Sequence, residues 1–164
     1  GQNVITLQIY ALAQKAAGNF DAARRLFGKA VDADPRHAPA WQAWAVMESQ
    51  LRTFDAARRL LEEGLRHVPD GRGKGLLHST LGGLLAGGRA PDRSAAEAHF
   101  RTALEYNERD PLTHYHFAVR VLLPTNRRAE ACQHLCRAKA LHPRRERDRK
   151  RIEDALWRNG CTCG

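Results

Sequence analysis

The chain reads FDAARRL at residues 20–26 and FDAARRL again at residues 54–60. Positions on both sides of this heptapeptide recur at the same distance of 34 residues, the distance from Phe20 to Phe54. The recurring pairs are Leu7 and Trp41, Tyr10 and Trp44, Ala11 and Ala45, Ala23 and Ala57, Phe27 and Leu61, Ala30 and Gly64, and Pro35 and Pro69. A fixed period of this length indicates one supersecondary unit that is used more than once.

Two further units follow at slightly longer spacings. The positions of Ala57, Leu61 and Gly64 recur as Ala96, Phe100 and Ala103, and then as Ala131, Leu135 and Ala138. The extra residues before the third unit fall in two soft stretches, 70–75 and 89–93, which contain glycine or proline. The predicted organisation is therefore four repeats over 1–144 (about 4–37, 38–69, 75–110 and 111–144), a capping helix over 145–160 and a tail over 161–164.

Each unit has the pattern of two helices. In the first unit Leu7, Tyr10, Ala11 and Gln14 share one helical face, and Gly18 interrupts the run. Small residues such as Ala23 allow two antiparallel helices to approach closely. A stack of such hairpins needs a last helix to cover its open apolar end. The predicted fold is all-α, a right-handed α-solenoid of about four helix–turn–helix repeats with a C-terminal capping helix.

These repeats resemble the tetratricopeptide repeat, a helix–turn–helix unit of 34 residues. The resemblance covers about residues 4–144. The second unit, with Trp41, Trp44, Ala45, Met47 and Glu48 in its first helix, is also similar to the half-a-tetratricopeptide variant, which is common in RNA-processing proteins. The resemblance implies a non-enzymatic scaffold that holds a protein or peptide segment in a concave groove. It also implies an alternative, an RNA-binding module. The residues themselves form no nucleophile–base arrangement, and the cysteine spacing is not that of a standard zinc site, so no catalytic residue, cofactor or metal is predicted.

The groove of such a scaffold is lined by first-helix residues that do not pack between the helices. We expect a protein or peptide partner to contact these uncharged or lightly charged side chains. A segment of a longer parent chain is one such partner. The groove residues predicted are Gln8, Leu12, Lys15, Gln42, Val46, Ser49, Ser79, Tyr115, His116 and Val119. By the same spacing, Trp41 and Trp44 belong between helices and not on a surface that stacks nucleobases.

The net positive charge of the chain is compatible with RNA binding. The chain of 164 residues has 27 Lys and Arg against 18 Asp and Glu, a formal net charge of +9. The densest basic run supplies the candidate phosphate contacts Arg144, Arg145, Arg147, Arg149, Lys150 and Arg151. A solvated first turn of a helix has the same composition, so the run by itself does not separate the two interpretations.

The four cysteines, Cys132, Cys136, Cys161 and Cys163, all lie after residue 131. Because none lies in the body of the chain, we expect helical thiols that pack as small apolar groups, a loose tail and a reducing compartment. An intracellular location, cytoplasmic or organellar, follows from that expectation. No apolar run reaches the ~18 residues of a membrane span, and no membrane partner is predicted.

Two expectations concern the ends of the repeat array. A stacked array exposes the apolar face of its first helix, so the segment Val4–Ile9 is a candidate surface for self-association. Because the sequence begins at Gly1 and not at Met, we also expect the chain to be a piece of a larger protein.

Overall fold

A computed structural model describes residues 3–164, and all regular structure in that range is helical. The helices are α1 (Val4–Ala16), α2 (Phe20–Ala33), α3 (Ala38–Gln50), α4 (Phe54–His67), α5 (Arg72–Leu85), α6 (Arg93–Tyr106), α7 (Pro111–Phe117), α8 (Arg128–Ala140) and α9 (Glu146–Arg158). The helix α7 continues directly into a π-helical turn over Ala118–Leu122. None of the helices over residues 3–164 has the length and apolar character that crossing a bilayer requires.

The helix ends follow from local chemistry. The side chain of Asn3 accepts hydrogen bonds from the backbone N–H groups of Ile5 and Thr6, which no helical carbonyl can satisfy. Gly18 takes a φ of +80° just after α1, a conformation that costs glycine nothing and ends the helix. The helix α2 stops at Ala33, two residues before Pro35. Gly18 and Pro35, which the sequence pattern marks as breaks, thus follow the ends of α1 and α2.

The chain forms two compact units, one ending at Leu81 and one over Gly82–Gly164. In unit 1, α1 packs against α2 and α3 against α4. A buried cluster of Ala11, Ala23, Phe27 and Met47 joins the first three helices. Phe27 also stacks on Trp44, with ring centroids 6.3 Å apart. The small alanines let the helices approach, and the large side chains fill the space that remains.

In unit 2, the helices α6 to α9 and the π-helical turn surround one core. Its buried residues include Phe100, Phe117, Leu135 and Ile152. The starts of α7 and α8 lie one residue further apart than those of α3 and α4. A π-helical turn accommodates one extra residue inside a helix, which accounts for this longer interval.

The positions that recur in all four units lie in the two cores, whereas Tyr10, which recurs only as Trp44, is 51% exposed. Eleven of these twelve residues are at most 1% exposed, namely Ala23, Phe27, Ala30, Ala57, Leu61, Ala96, Phe100, Ala103, Ala131, Leu135 and Ala138, and the twelfth, Gly64, is also buried. In the last helix Ile152, Ala155 and Leu156 are buried, as their spacing predicts. The predicted all-α helical repeat fold is confirmed.

The prediction for the cysteines is wrong. Cys132 is bonded to Cys161, and Cys136 is bonded to Cys163. The tail is therefore attached at two points to α8, and it is not loose. Arg128 adds hydrogen bonds to the carbonyl oxygens of residues 159 and 160 at 2.6 and 2.9 Å. Disulfides persist in oxidising compartments, so this pairing counts against the reducing compartment that the cysteine distribution suggested.

Candidate functional site

The first helix of unit 1 exposes a continuous apolar surface. Ile5 is 54% exposed and Ile9 is 58% exposed, and Leu12 on the same side is also exposed. These side chains are four and then three residues apart, so they lie on one face of α1. The opposite face of the helix is buried through Leu7 and Ala11. An apolar face in water is a surface that a partner can cover.

The predicted groove residues of unit 1 border this surface. On α1, Leu12 is exposed, whereas Gln8 and Lys15 are half-buried. The Oε1 atom of Gln8 accepts a hydrogen bond of 3.0 Å from Nε2 of His37, the residue that precedes α3. This bond fixes the start of α3 against α1. The amide N–H groups of Gln8 donate to no other side chain of residues 3–164. On α3, the predicted groove residues Gln42, Val46 and Ser49 are half-buried.

The predicted groove residues outside these two helices are less open. Ser79 is half-buried on α5. Tyr115 and Val119 pack against the buried core of unit 2, so only part of each side chain is available to a ligand. His116 lies edge-on to the ring of Tyr115, with centroids 5.2 Å apart. The structure thus brings the open apolar side chains together on α1, and not on the first helix of the fourth repeat.

The two tryptophans of α3 have structural partners. Trp41 is 5% exposed, and its indole N–H donates to the carbonyl of Pro35 at 2.9 Å. Trp44 is half-buried, and its N–H donates to Glu48 at 3.3 Å. Trp41 thus packs between helices, as predicted. Trp44 stacks on Phe27, but part of its ring stays exposed.

Glu48 is a buried carboxylate that links α2, α3 and the turn before α4. Arg24 of α2 donates two hydrogen bonds to it, at 2.7 and 3.1 Å, and the hydroxyl of Thr53 donates another. Burial alone would raise the pKa of Glu48, but the hydrogen bonds from Arg24 and Thr53 outweigh it, so the pKa lies below its usual value. The carboxylate is therefore charged and fully engaged in holding the helices together.

Several residues of the basic run 144–151 have hydrogen-bond or ion-pair partners within the chain. Arg149 donates to the backbone carbonyls of Pro143 and Arg144, both at 2.8 Å. Lys150 pairs with Glu146 at 2.9 Å, and Arg147 approaches Asp148 at 3.9 Å. For Arg144, Arg145 and Arg151, no side-chain partner is recorded within residues 3–164. About half of the predicted phosphate contacts thus have another task in the fold.

Comparison with known protein families identifies the repeats of unit 1. The sequence model of the tetratricopeptide repeat family matches residues 15–78. Residues 15–78 are therefore tetratricopeptide repeats. The matched segment lies in unit 1 and covers the end of α1, all of α2, α3 and α4, and the first half of α5. No curated protein sequence matches the chain.

Solved structures share the tetratricopeptide repeat fold over nearly all of the chain. PilF of Pseudomonas aeruginosa superposes with a TM-score of 0.70 and 15% identity, covering 97% of this chain and 71% of PilF. A MamA protein superposes with a TM-score of 0.64 and 15% identity, covering 96% of this chain and 83% of MamA. YrrB, described as a tetratricopeptide repeat protein with an unusual peptide-binding site, has a TM-score of 0.59 and 18% identity, covering 96% and 78%. At these identities the likeness shows the fold.

The sequence alone indicated the apolar face of α1 only in part. The open face of α1 was indicated by the absence of any charged residue from Val4 to Gln14, although the side chains of Ile5 and Ile9 were assigned to self-association and not to the groove. The half-a-tetratricopeptide character of the second repeat stays a prediction.

Two histidines of unit 2 are held neutral by their surroundings. Burial lowers the pKa of His116 to about 4; the charges of Arg120 and Arg151 act in the same direction, against those of Asp110 and Asp148. Burial also lowers the pKa of His134, and neighbouring His114 adds to the effect.

The ring of His134 is oriented by a short chain of hydrogen bonds. The Nδ1 atoms of His114 and His134 are 2.8 Å apart, and Nε2 of His114 is 2.7 Å from the carbonyl of Glu108. A carbonyl only accepts, so Nε2 of His114 carries a proton. When both rings are neutral, Nδ1–H of His134 therefore donates to Nδ1 of His114.

We expect unit 2 to lose about 2 kcal/mol of stability between pH 7 and pH 5 through His116. In the unfolded chain this ring takes up a proton near its usual pKa of about 6.5, whereas in the folded chain it stays neutral down to about pH 4. The stabilisation is complete above pH 6.5 and is lost as the pH falls toward 4. Urea unfolding of the wild type and of His116→Gln at both pH values measures the effect.

The variant His116→Gln should lose clearly less stability than the wild type over this interval, because its side chain does not titrate. His142→Asn is the control, since His142 is exposed and asparagine tolerates its positive φ of 51°. An equal fall in the wild type and in His116→Gln would show that other groups cause the pH dependence.

Proposed function

We propose that the chain is a non-enzymatic interaction scaffold whose first-helix surface in unit 1 binds a peptide segment with apolar side chains. The observation that carries this proposal is the exposed stripe of Ile5, Ile9 and Leu12 on α1. Full burial of an aliphatic side chain of this size contributes up to ~1.5–3 kcal/mol, which offsets part of the cost of ordering a bound peptide.

The polar residues beside the stripe suit the backbone of a peptide. Gln8 and Gln42 are uncharged, and Lys15 is the one charged residue among those predicted for this part of the groove. An amide side chain can donate to a peptide carbonyl or accept from a peptide N–H without a large desolvation cost. The surface therefore favours an extended or helical segment with apolar anchors over a strongly charged one.

The comparisons support the general part of this proposal. Tetratricopeptide repeats match residues 15–78, and YrrB, which has a similar fold, is described as having a peptide-binding site. RNA binding stays the alternative hypothesis. It depends on the net charge and on the basic run, in which the ion pairs and backbone hydrogen bonds of α9 leave fewer free cations than the sequence suggests.

A displayed library of random dodecapeptides, selected on the immobilised chain, tests the proposal. We expect the selected peptides to carry two or more apolar residues at helical or alternating spacing. Their affinity should fall at least about tenfold for Ile9→Asp, because a charge in the centre of the stripe cannot be buried with them. Fluorescence anisotropy of labelled peptides gives the dissociation constants.

The matched control is Trp157→Asp, which places the same charge at an apolar residue of α9 that is 82% exposed. This variant should bind the selected peptides as the wild type does. Equal binding by Ile9→Asp and the wild type would contradict the proposed surface. So would a loss of binding in Trp157→Asp alone.

A further inference from the structure

A cavity in unit 1 lies on a different side of α3 from the predicted groove. It has a volume of about 560 Å³ and opens to solvent. The residues Trp41 and Trp44 of α3 line it, together with Ala56 and Leu60 of α4. On α3 these tryptophans point roughly a third of a turn away from the side that carries Gln42 and Val46. We call this cavity the outer pocket.

The outer pocket stays open because small residues face its aromatic lining. At Gly28 of α2, an added Cβ would have one heavy-atom neighbour within 4 Å, the Cη2 atom of Trp44 at 3.9 Å. Gly28 therefore places no side chain at that edge of the indole ring, and Arg24 is the residue of α2 that lines the pocket. Ala56 leaves similar room on the α4 side, and most of the exposed lining is apolar. A pocket of this size and composition admits one aromatic side chain.

The charges around the outer pocket are paired, with one exception. Its three carboxylates each have an arginine partner: Glu48 pairs with Arg24 at 2.7 Å, Glu62 with Arg58 at 2.8 Å, and Glu63 with Arg66 at 3.0 Å. Arg59 also lines the pocket and is exposed. It makes no ion pair or hydrogen bond with any side chain of residues 3–164. The pocket thus combines an apolar lining with one guanidinium group that has no counter-charge.

We propose that the outer pocket is a second binding site, which takes an aromatic side chain of a partner protein whose neighbouring group is a carboxylate. The ring enters the space beside Trp44 and Leu60. The carboxylate, from the chain terminus or from an adjacent acidic residue, pairs with Arg59 at the edge. A guanidinium group offers a carboxylate two parallel N–H donors, which fixes the orientation of the aromatic group. This site does not depend on the groove proposed above.

N-acetylphenylalanine and its neutral amide are suitable probes, because they differ only in the carboxylate. Two-dimensional ¹H–¹⁵N spectra of the chain, titrated with each probe, report binding at individual residues. We expect saturable shifts at the indole N–H of Trp44 and at backbone amides of α4. The carboxylate should bind about three- to tenfold more tightly than the amide, the range for a partly exposed ion pair.

The variant Arg59→Gln should abolish the preference for the carboxylate and leave the weaker binding of the amide. The matched control is Arg25→Gln, because Arg25 occupies the equivalent position of the preceding repeat and does not line the outer pocket. That variant should retain the full preference. The proposal is overturned if the Trp44 signal does not shift, if Arg59→Gln keeps the preference, or if Arg25→Gln loses it too. Shifts confined to α1 would support the groove and would overturn the outer pocket.

Discussion

Replacing Phe27 by alanine should lower the free energy of unfolding of unit 1 by about 3–5 kcal/mol, the usual range for a fully buried phenylalanine. The ring of Phe27 has no exposed surface. It packs against Ala11 of α1 and Met47 of α3, and it stacks on Trp44. The loss of this one side chain therefore leaves a cavity where three helices meet, and urea unfolding followed by circular dichroism should show a lower midpoint.

The control for this prediction is Phe54→Ala. Phe54 is the first residue of α4 and is 37% exposed, so its removal leaves less of a cavity and should cost about 1 kcal/mol. If the two variants lost equal stability, the position of Phe27 in the core would be wrong.

Removing both disulfides should cost unit 2 about 3–4 kcal/mol. They connect residues that are 29 and 27 apart in sequence, and the closure of one loop of that length restricts the unfolded chain by roughly this amount. Urea unfolding of the wild type with and without dithiothreitol measures the effect. We expect the midpoint to fall by about 2 M.

Removing one disulfide should cost much less, because the other closes nearly the same loop. The double variant Cys136→Ala with Cys163→Ala, which keeps the bond between Cys132 and Cys161, should lose less than about 1 kcal/mol. The variant with all four cysteines replaced by alanine should match the reduced wild type and should not respond to dithiothreitol. A wild type that dithiothreitol does not destabilise would contradict the prediction.

The repeat pattern predicted the buried positions well for a physical reason. In a helical hairpin the residues that touch are close in sequence, so a spacing such as that of Ala23, Phe27 and Ala30 reports directly on a packed face. The end of α1 at Gly18 and of α2 before Pro35 depends on the residues themselves. These parts of the fold could be predicted because local chemistry decides them.

The features that the sequence did not predict depend on contacts between distant residues. Nothing in the order of Cys132, Cys136, Cys161 and Cys163 indicates that the tail folds back along α8 and pairs them as it does. The outer pocket likewise depends on how α2, α3 and α4 pack against one another, and no periodicity reports the space that remains between them. On α1 the pattern did identify the apolar residues, but it could not distinguish a groove from a surface for self-association.

The bond between Cys136 and Cys163 also determines how the protein responds to mechanical tension. A force applied on the C-terminal side of Cys163 passes through the sulfur–sulfur bond into the middle of α8. The intervening 137–162, which includes all of α9, carries no load while the bond is intact. Under oxidising conditions the pulled chain would therefore extend without this segment, and a reductant would add its length to the extension.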